Sequence, residues 1–295
     1  MELNKILDYA IMADETAKNP EVKSGYNINE KTYNNYLSND SFAEFVEDMK
    51  TNHPVAYEMY GKGGGKELEE RVSGKNIYPP KMASFGSSSR MIYNMMKDKE
   101  GFLFEKKLPT TVGGIANLDG FIETDEKCVF VEAKCREPYT QKDSIYERKY
   151  EDLYRTISAS STTSVACKIE VIDERKMEVK FVSGETEINS FDMKQMISHL
   201  LGVATAYLKG EFDKKIDFIY LLFNPKLIEI KESKEEIHRI YEQTRNECNS
   251  VDFKALFKVI VEYLQTVKGL GKEKNKIDIV KNFSFRLCDQ SNMNI

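Results

Sequence analysis

Cys128-Val129-Phe130-Val131-Glu132-Ala133-Lys134-Cys135 is the stretch of this 295-residue chain from which the rest can be read. Its first half is β-branched and aromatic with no polar interruption, which predicts a buried strand. It then sets a carboxylate and an ammonium two residues apart, and residues i and i+2 of a strand share a face. Glu132 and Lys134 are therefore expected to point together into whatever lies over that face. A strand this apolar belongs in the middle of a sheet, where two charges need a use. The alternative is an ion pair on an edge strand, with Asp119 a turn residue beside Gly120. That would require the strand to be exposed.

The preceding apolar run, Ala116 to Glu123, supplies a partner. Alternation places Asn117, Asp119, Phe121 and Glu123 on one face, and Leu118, Gly120 and Ile122 on the other. Thr124-Asp125-Glu126-Lys127 is polar and short enough for a hairpin turn. A hairpin of this length can bring Asp119 and Glu132 to the same end of neighbouring strands. Two converging carboxylates make a hard oxygen site suited to Mg2+, with Mn2+ as a substitute. A metal there can activate water and polarise a phosphodiester. Lys134 can stabilise the developing negative charge or hold the attacking water.

An aspartate, a variable gap, then Glu-x-Lys on an apolar strand resembles the active-site motif of the PD-(D/E)xK nuclease superfamily. Here it reads Leu118-Asp119-Gly120-Phe121 and Glu132-Ala133-Lys134, with Leu118 where a proline is usual. Ser84-Phe85-Gly86-Ser87-Ser88-Ser89-Arg90-Met91-Ile92-Tyr93 also resembles a restriction-endonuclease-like family of uncharacterised prokaryotic proteins. The resemblance implies Mg2+-dependent hydrolysis of DNA phosphodiester bonds. Asp119, Glu132 and the Ala133 backbone carbonyl would be metal ligands, and Lys134 the catalytic lysine. It further implies that Glu105 on the first strand either completes the metal site or is a surface glutamate paired with Lys106 or Lys107. Gln195 is either an auxiliary residue beside the metal or simply solvated. Lys194 and His199 are weaker candidates. Glu123 lies too far along its strand to join the same ion. Relatives that cut both strands often act as dimers, which allows a homodimer. Rival readings are an exonuclease or repair nuclease, or a nucleic-acid-binding protein that kept the fold and lost the chemistry.

The order of elements agrees with that resemblance. A helix is expected over Ser87 to Asp98 and a strand over Phe102 to Leu108. The motif strands come next, then an amphipathic helix over Phe191 to Lys209 capped by Ser190 and stopped by Gly210. A strand over Ile216 to Phe223 follows. The expected fold is α/β, a restriction-endonuclease-like core with a central mixed β-sheet flanked by helices, plus helical N-terminal and C-terminal additions. Residues 1–84 form the N-terminal extension, with helices around Phe42 to Met49 and Val55 to Tyr60. Residues 85–230 form the core, with an insertion at about 136–189. Residues 231–295 form a C-terminal region with helices over Glu235 to Thr244 and Phe253 to Val267, and a last strand over Ile277 to Leu287. The insertion reads as a charged helical stretch over Ser144 to Ile157, a serine-rich loop, and a hairpin of Cys167 to Ile172 with Met177 to Val182.

Composition narrows the class. The formal charge is −5, from 43 basic and 48 acidic residues, which argues against a protein that coats DNA. No apolar run approaches the twenty residues of a membrane span, and the N-terminus lacks a signal-peptide pattern. Five scattered cysteines without a C-x-x-C pair fit a reduced cytoplasm, and three histidines are too sparse for a zinc site. Gly61-Lys62-Gly63-Gly64-Gly65-Lys66 is one residue short of a phosphate loop, has Glu67 in place of Ser/Thr, and follows no strand. It reads instead as a cationic loop. Arg90 is open to either a phosphate contact or a plain surface role.

Overall fold

The computed structural model describes residues 2–28, 31–62, 67–140, 144–272 and 274–295. It opens with α1 (Leu3–Lys18), a hairpin of β1 (Ser24–Ile28) and β2 (Lys31–Leu37), and α2 (Asn39–Asn52). Next come α3 (Pro54–Lys62) and a ribbon of β3 (Arg71–Ser73) and β4 (Asn76–Tyr78). Both hairpins are missing from the sequence expectation. Ser24–Leu37 is crowded with Asn and Tyr and shows no clean apolar alternation, so its pairing is decided by packing. Helix α3 continues through Gly61 to Lys62, and residues 63–66 of the glycine-rich stretch lie outside the described residues.

The centre is built from α4 (Ser88–Met96), β5 (Leu103–Pro109), β6 (Ile115–Glu123), β7 (Lys127–Lys134), α6 (Met193–Lys209), β12 (Lys215–Leu222) and β13 (Phe283–Cys288). Among the described residues the central sheet has the order β13-β12-β7-β6-β5. The β5–β6 and β6–β7 pairs are antiparallel, and the β7–β12 and β12–β13 pairs are parallel. The molecule is thus α/β with a mixed five-stranded sheet between helices. β7 sits in the middle with both faces covered, so Val129, Phe130 and Val131 are fully buried. The edge-strand alternative for Glu132 and Lys134 therefore fails. Asp217, the polar residue in β12, is explained by Lys127 and Arg286, whose side chains bond its two oxygens at 2.6–3.1 Å.

The crossover from β7 to α6 carries β8 (Ile145–Glu147), α5 (Glu151–Ala159), β9 (Val165–Val171), β10 (Lys176–Ser183) and β11 (Thr186–Ile188). These strands form a satellite sheet packed on α5. The expected long helix over Ser144 to Ile157 is shorter than the charge pattern suggests, because its first residues pair with β10 as β8. After β12 come α7 (Lys234–Asn249), α8 (Phe253–Thr266) and α9 (Lys276–Lys281). The expected strand over Ile277 to Leu287 is a helix in its first half, and only Phe283–Cys288 is strand.

One core layer joins α5, α6, α8 and the satellite sheet to one face of the central sheet. The other joins α1 to α4 and α7 to the opposite face. α6 is buried all round from Leu200 to Leu208. It approaches the β5–β6 hairpin so closely that a Cβ on Gly202 would lie 2.7 Å from Ala116 Cβ. Its cap is Asp192, not Ser190: Asp192 Oδ1 accepts from Gln195 N–H at 3.0 Å, while Ser190 N–H donates to Glu247. All five cysteines are free and buried. No helix of the described residues is long and apolar enough to cross a membrane.

Candidate active site

The β6–β7 ladder is regular from Glu123↔Cys128 to Gly120↔Val131 and then stops. One step further the same register sets Asp119 opposite Glu132. There the backbone pairing is replaced by a side chain: Ala133 N–H donates to Asp119 Oδ2 at 2.7 Å. The two strands are held apart by a carboxylate at this point. In a strand, one residue's N–H and C=O project to the same side. The Ala133 carbonyl therefore faces the same gap. The next carbonyl, of Lys134, alternates to the other side and accepts from Phe223 N–H at 2.8 Å.

β5 is disturbed at the matching position. Its register with β6 runs unshifted through Phe104↔Gly120 and Lys106↔Leu118, and the pair skipped between them is Glu105 with Asp119. Glu105 has φ 54°, a left-handed conformation unusual for a residue with a side chain. Here the expected alternation breaks. Ala116 and Leu118 share a core layer with Phe121, while Ile122 packs in the opposite one. The face assigned by strict period two to Asn117, Asp119, Phe121 and Glu123 is therefore not one face. Glu105, Asp119 and Glu132 line up across three adjacent strands at this kink.

The three open into a cavity of about 480 Å³ that is also lined by Lys134, Gln195, Asn117, Glu67, Lys81, Lys107, Arg136, Glu137 and the Gly86–Ser89 turn before α4. Glu132 and Lys134 are only 2% and 6% exposed. Lys134 Nζ donates to Glu132 Oε1 at 2.5 Å, so the pair shares a face as the Glu-x-Lys spacing predicts. Neither Glu132 Oε2 nor His199 Nδ1 has a hydrogen-bond partner, although the two lie 3.3 Å apart. Asp119 Oδ1 likewise has no donor among the described residues.

The cluster carries surplus negative charge. Burial pushes the Glu132 carboxyl up to about 7 even with Lys134 against it. Burial, then the charge of Glu132, raises Asp119 well above the carboxylate range. Burial, then Asp119, brings Glu105 to about 7. Burial alone would lower Lys134, but Glu132, Glu137, Asp119 and Asp192 around it hold it above its ordinary value. Burial, then Lys134, pushes His199 down to about 3, so its imidazole is neutral.

Among the described residues no three His, Cys, Asp or Glu side chains are placed to hold a metal. A magnesium ion asks for less than that: one or two carboxylates, with waters and substrate phosphate completing an octahedron. Asp119, Glu132 and the Ala133 carbonyl fit that need in donor type, and the orphaned, buried Glu132 Oε2 fits it in state.

Other candidates separate clearly. Gln195 and Glu105 line the cavity. Lys194 is exposed, with its ammonium over the Tyr146 ring. Glu123 points away and pairs with Lys214 at 2.8 Å. Arg90 is a correction, being neither a surface residue nor a phosphate contact. It is buried, paired with Glu15, and flanked by the rings of Phe45 and Phe85. Glu137, Arg136, Glu67 and Lys81 escape the sequence reading. Glu137 lies three residues past Lys134, where its carboxylate accepts from Cys135 N–H at 2.8 Å. Arg136 is tied to Asp8 of α1 at 2.8 Å and to Ser84, and Lys81 to buried Glu67 at 2.8 Å. Comparison with family models, curated proteins and solved structures finds no match.

Proposed function

We propose that this chain is a metal-dependent nuclease, a restriction-endonuclease-like enzyme that hydrolyses DNA phosphodiester bonds with Mg2+ or Mn2+. The observation that carries the reading is the site at the β6–β7 gap. Buried Glu132 and half-buried Asp119 face one lysine there, with Glu132 Oε2 unclaimed and a backbone carbonyl turned to the same opening. Asp119, Glu132 and the Ala133 carbonyl would hold the ion. When bound, it supplies Lewis-acid polarisation of the phosphate and a water of lowered pKa.

The chain's own groups account for the remaining needs of in-line hydrolysis. Lys134 keeps its proton firmly, so it serves as a fixed positive charge beside the attacked phosphorus and not as a base. Glu132 anchors that ammonium through Oε1 and leaves Oε2 for the ion. Ala133 N–H fixes the rotamer of Asp119. Gln195, at the start of α6, can hydrogen-bond the water or a phosphate oxygen.

Nicking of circular DNA in magnesium, scored on single-stranded and on duplex circles, should be reduced at least 100-fold by Lys134→Ala on whichever circle the wild type cuts. Calorimetry should show manganese binding by the wild type that Asp119→Ala abolishes. Equal nicking by wild type and Lys134→Ala removes the lysine from the mechanism. A folded wild type that binds no divalent metal removes the nuclease reading altogether.

A further inference from the structure

Beyond the cavity at Asp119, the cleft continues. Asn117 and Gln195 line both that cavity and a second hollow of about 340 Å³ bounded by Tyr150, Lys194 and His199. Lys194 in turn lines a third, of about 500 Å³, against the satellite sheet. The three form one crease that passes from the α4 turn, over Glu132 and Lys134, past the first turn of α6. Its walls are tied together beside the reacting position. Tyr150, from the crossover, presses its hydroxyl on the β5–β6 turn, where a Cβ on Gly114 would lie 2.8 Å from it.

From this we infer that the enzyme takes its substrate as a single strand of DNA, with the nucleotides next to the scissile phosphate lying between Tyr150 and the first turn of α6. The inference rests on the nuclease reading and adds the form of the substrate. A duplex is stiff and presents its phosphates on a broad convex surface. A flexible strand lowers one phosphate to a lysine that is 6% exposed, in a crease bridged on one side, more readily than a duplex does. The chemistry of the walls agrees. Duplex binding without base contacts needs many cations along the backbone, and this chain is acidic overall. Single strands are held instead by aromatic platforms with a few interleaved charges. Tyr150, whose ring is backed by Tyr154 and carries the Lys149 ammonium, lines the hollow with Lys194 and brings an aromatic edge and interleaved charges to it.

Fluorescence anisotropy with wild-type protein, calcium replacing magnesium to suppress turnover, tests this on a labelled 20-nucleotide strand and on the blunt duplex of the same sequence. The strand should bind at least tenfold more tightly than the duplex. Tyr150→Ala should weaken strand binding about tenfold while Tyr150→Phe, which keeps the ring, holds it. Should Tyr150→Ala fail to fold, Lys194→Gln must lower the slope of log affinity against log salt by about 0.7. Duplex binding as tight as the strand's, a folded Tyr150→Ala that binds like wild type, or an unchanged salt slope for Lys194→Gln overturns the proposal. Metal-dependent nicking together with a duplex preference sinks it while leaving the nuclease reading intact. Failure to bind either DNA, with no nicking, removes both.

Discussion

Glu105 shows how one backbone angle shapes the site. At φ 54° it occupies a conformation that costs an L-residue about 1–2 kcal/mol, and it brings a third carboxylate toward Asp119. Its pKa of about 7 exceeds the unfolded value of 4.5, with burial the main cause. The folded state therefore binds more protons than the unfolded state between these values. Stability from this group is present below pH 4.5 and is lost as pH rises through 7. Glu105→Gln removes that loss. In metal-free protein it should raise stability by up to about 3 kcal/mol at pH 8 and leave it unchanged at pH 4, read from urea denaturation at both pH values. A gain that is equal at the two would mean that packing, not charge, dominates. The Glu132-Ala133-Lys134 spacing was legible because strand periodicity is local. The left-handed turn at Glu105 was not, since no Gly, Asn or Asp marks it and the flanking register is unshifted.

At the level of elements, α6 carries Gln195 and His199 to the sheet, and Gly202 sets the distance. Helix propensity favours Gly202→Ala by about 1 kcal/mol, but the new methyl would meet Ala116 Cβ at 2.7 Å and cost about 1–3 kcal/mol in overpacking. The net expectation is a loss of up to about 2 kcal/mol and a fall in nicking rate as α6 shifts off β6. Gly202→Leu should not yield a folded protein. A Gly202→Ala variant more stable than wild type would show that the contact relaxes freely. The periodicity of α6 is strong enough to be read directly from sequence. Its first turn is not: Ser190 and Asp192 are both good caps, and the choice falls to Asp192 because Glu247 of α7 claims the backbone of Ser190 and Phe191. Likewise the α9–β13 boundary is obscured because Ile277–Leu287 alternates only partly.

Across the whole molecule, the helical start of the chain is wired to the site. Asp8 of α1, 1% exposed, accepts from Asn35 and from Arg136, which lines the cavity. Gly86 leaves the room, since a Cβ there would lie 1.8 Å from Asp8 Oδ1. Asp8→Ala should cost about 3 kcal/mol, because it strips Arg136 of its buried partner, and should lower nicking with it. Asp14→Ala, on the same helix with an exposed Lys18 partner, should cost less than about 0.5 kcal/mol. Thermal melts of the two variants check the contrast, and equal losses would show that Asp8 serves only the helix. This wiring could not be seen in the sequence. Arg136 and Glu137 sit beside the motif, but what recruits Glu67, Lys81 and Asp8 to it is tertiary packing over long separations.

The parallel pairing of β7 with β12 makes a long crossover compulsory, and α5 with its satellite sheet occupies it. Closing such a loop costs only about 0.6 kcal/mol more for each doubling of its length. That segment can therefore be lengthened, trimmed or exchanged over evolutionary time without retuning the strands that hold Glu132 and Lys134. On the nuclease reading, the groups proposed to act on the phosphate and Tyr150, proposed to hold the strand, thus sit in separable tracts of one polypeptide.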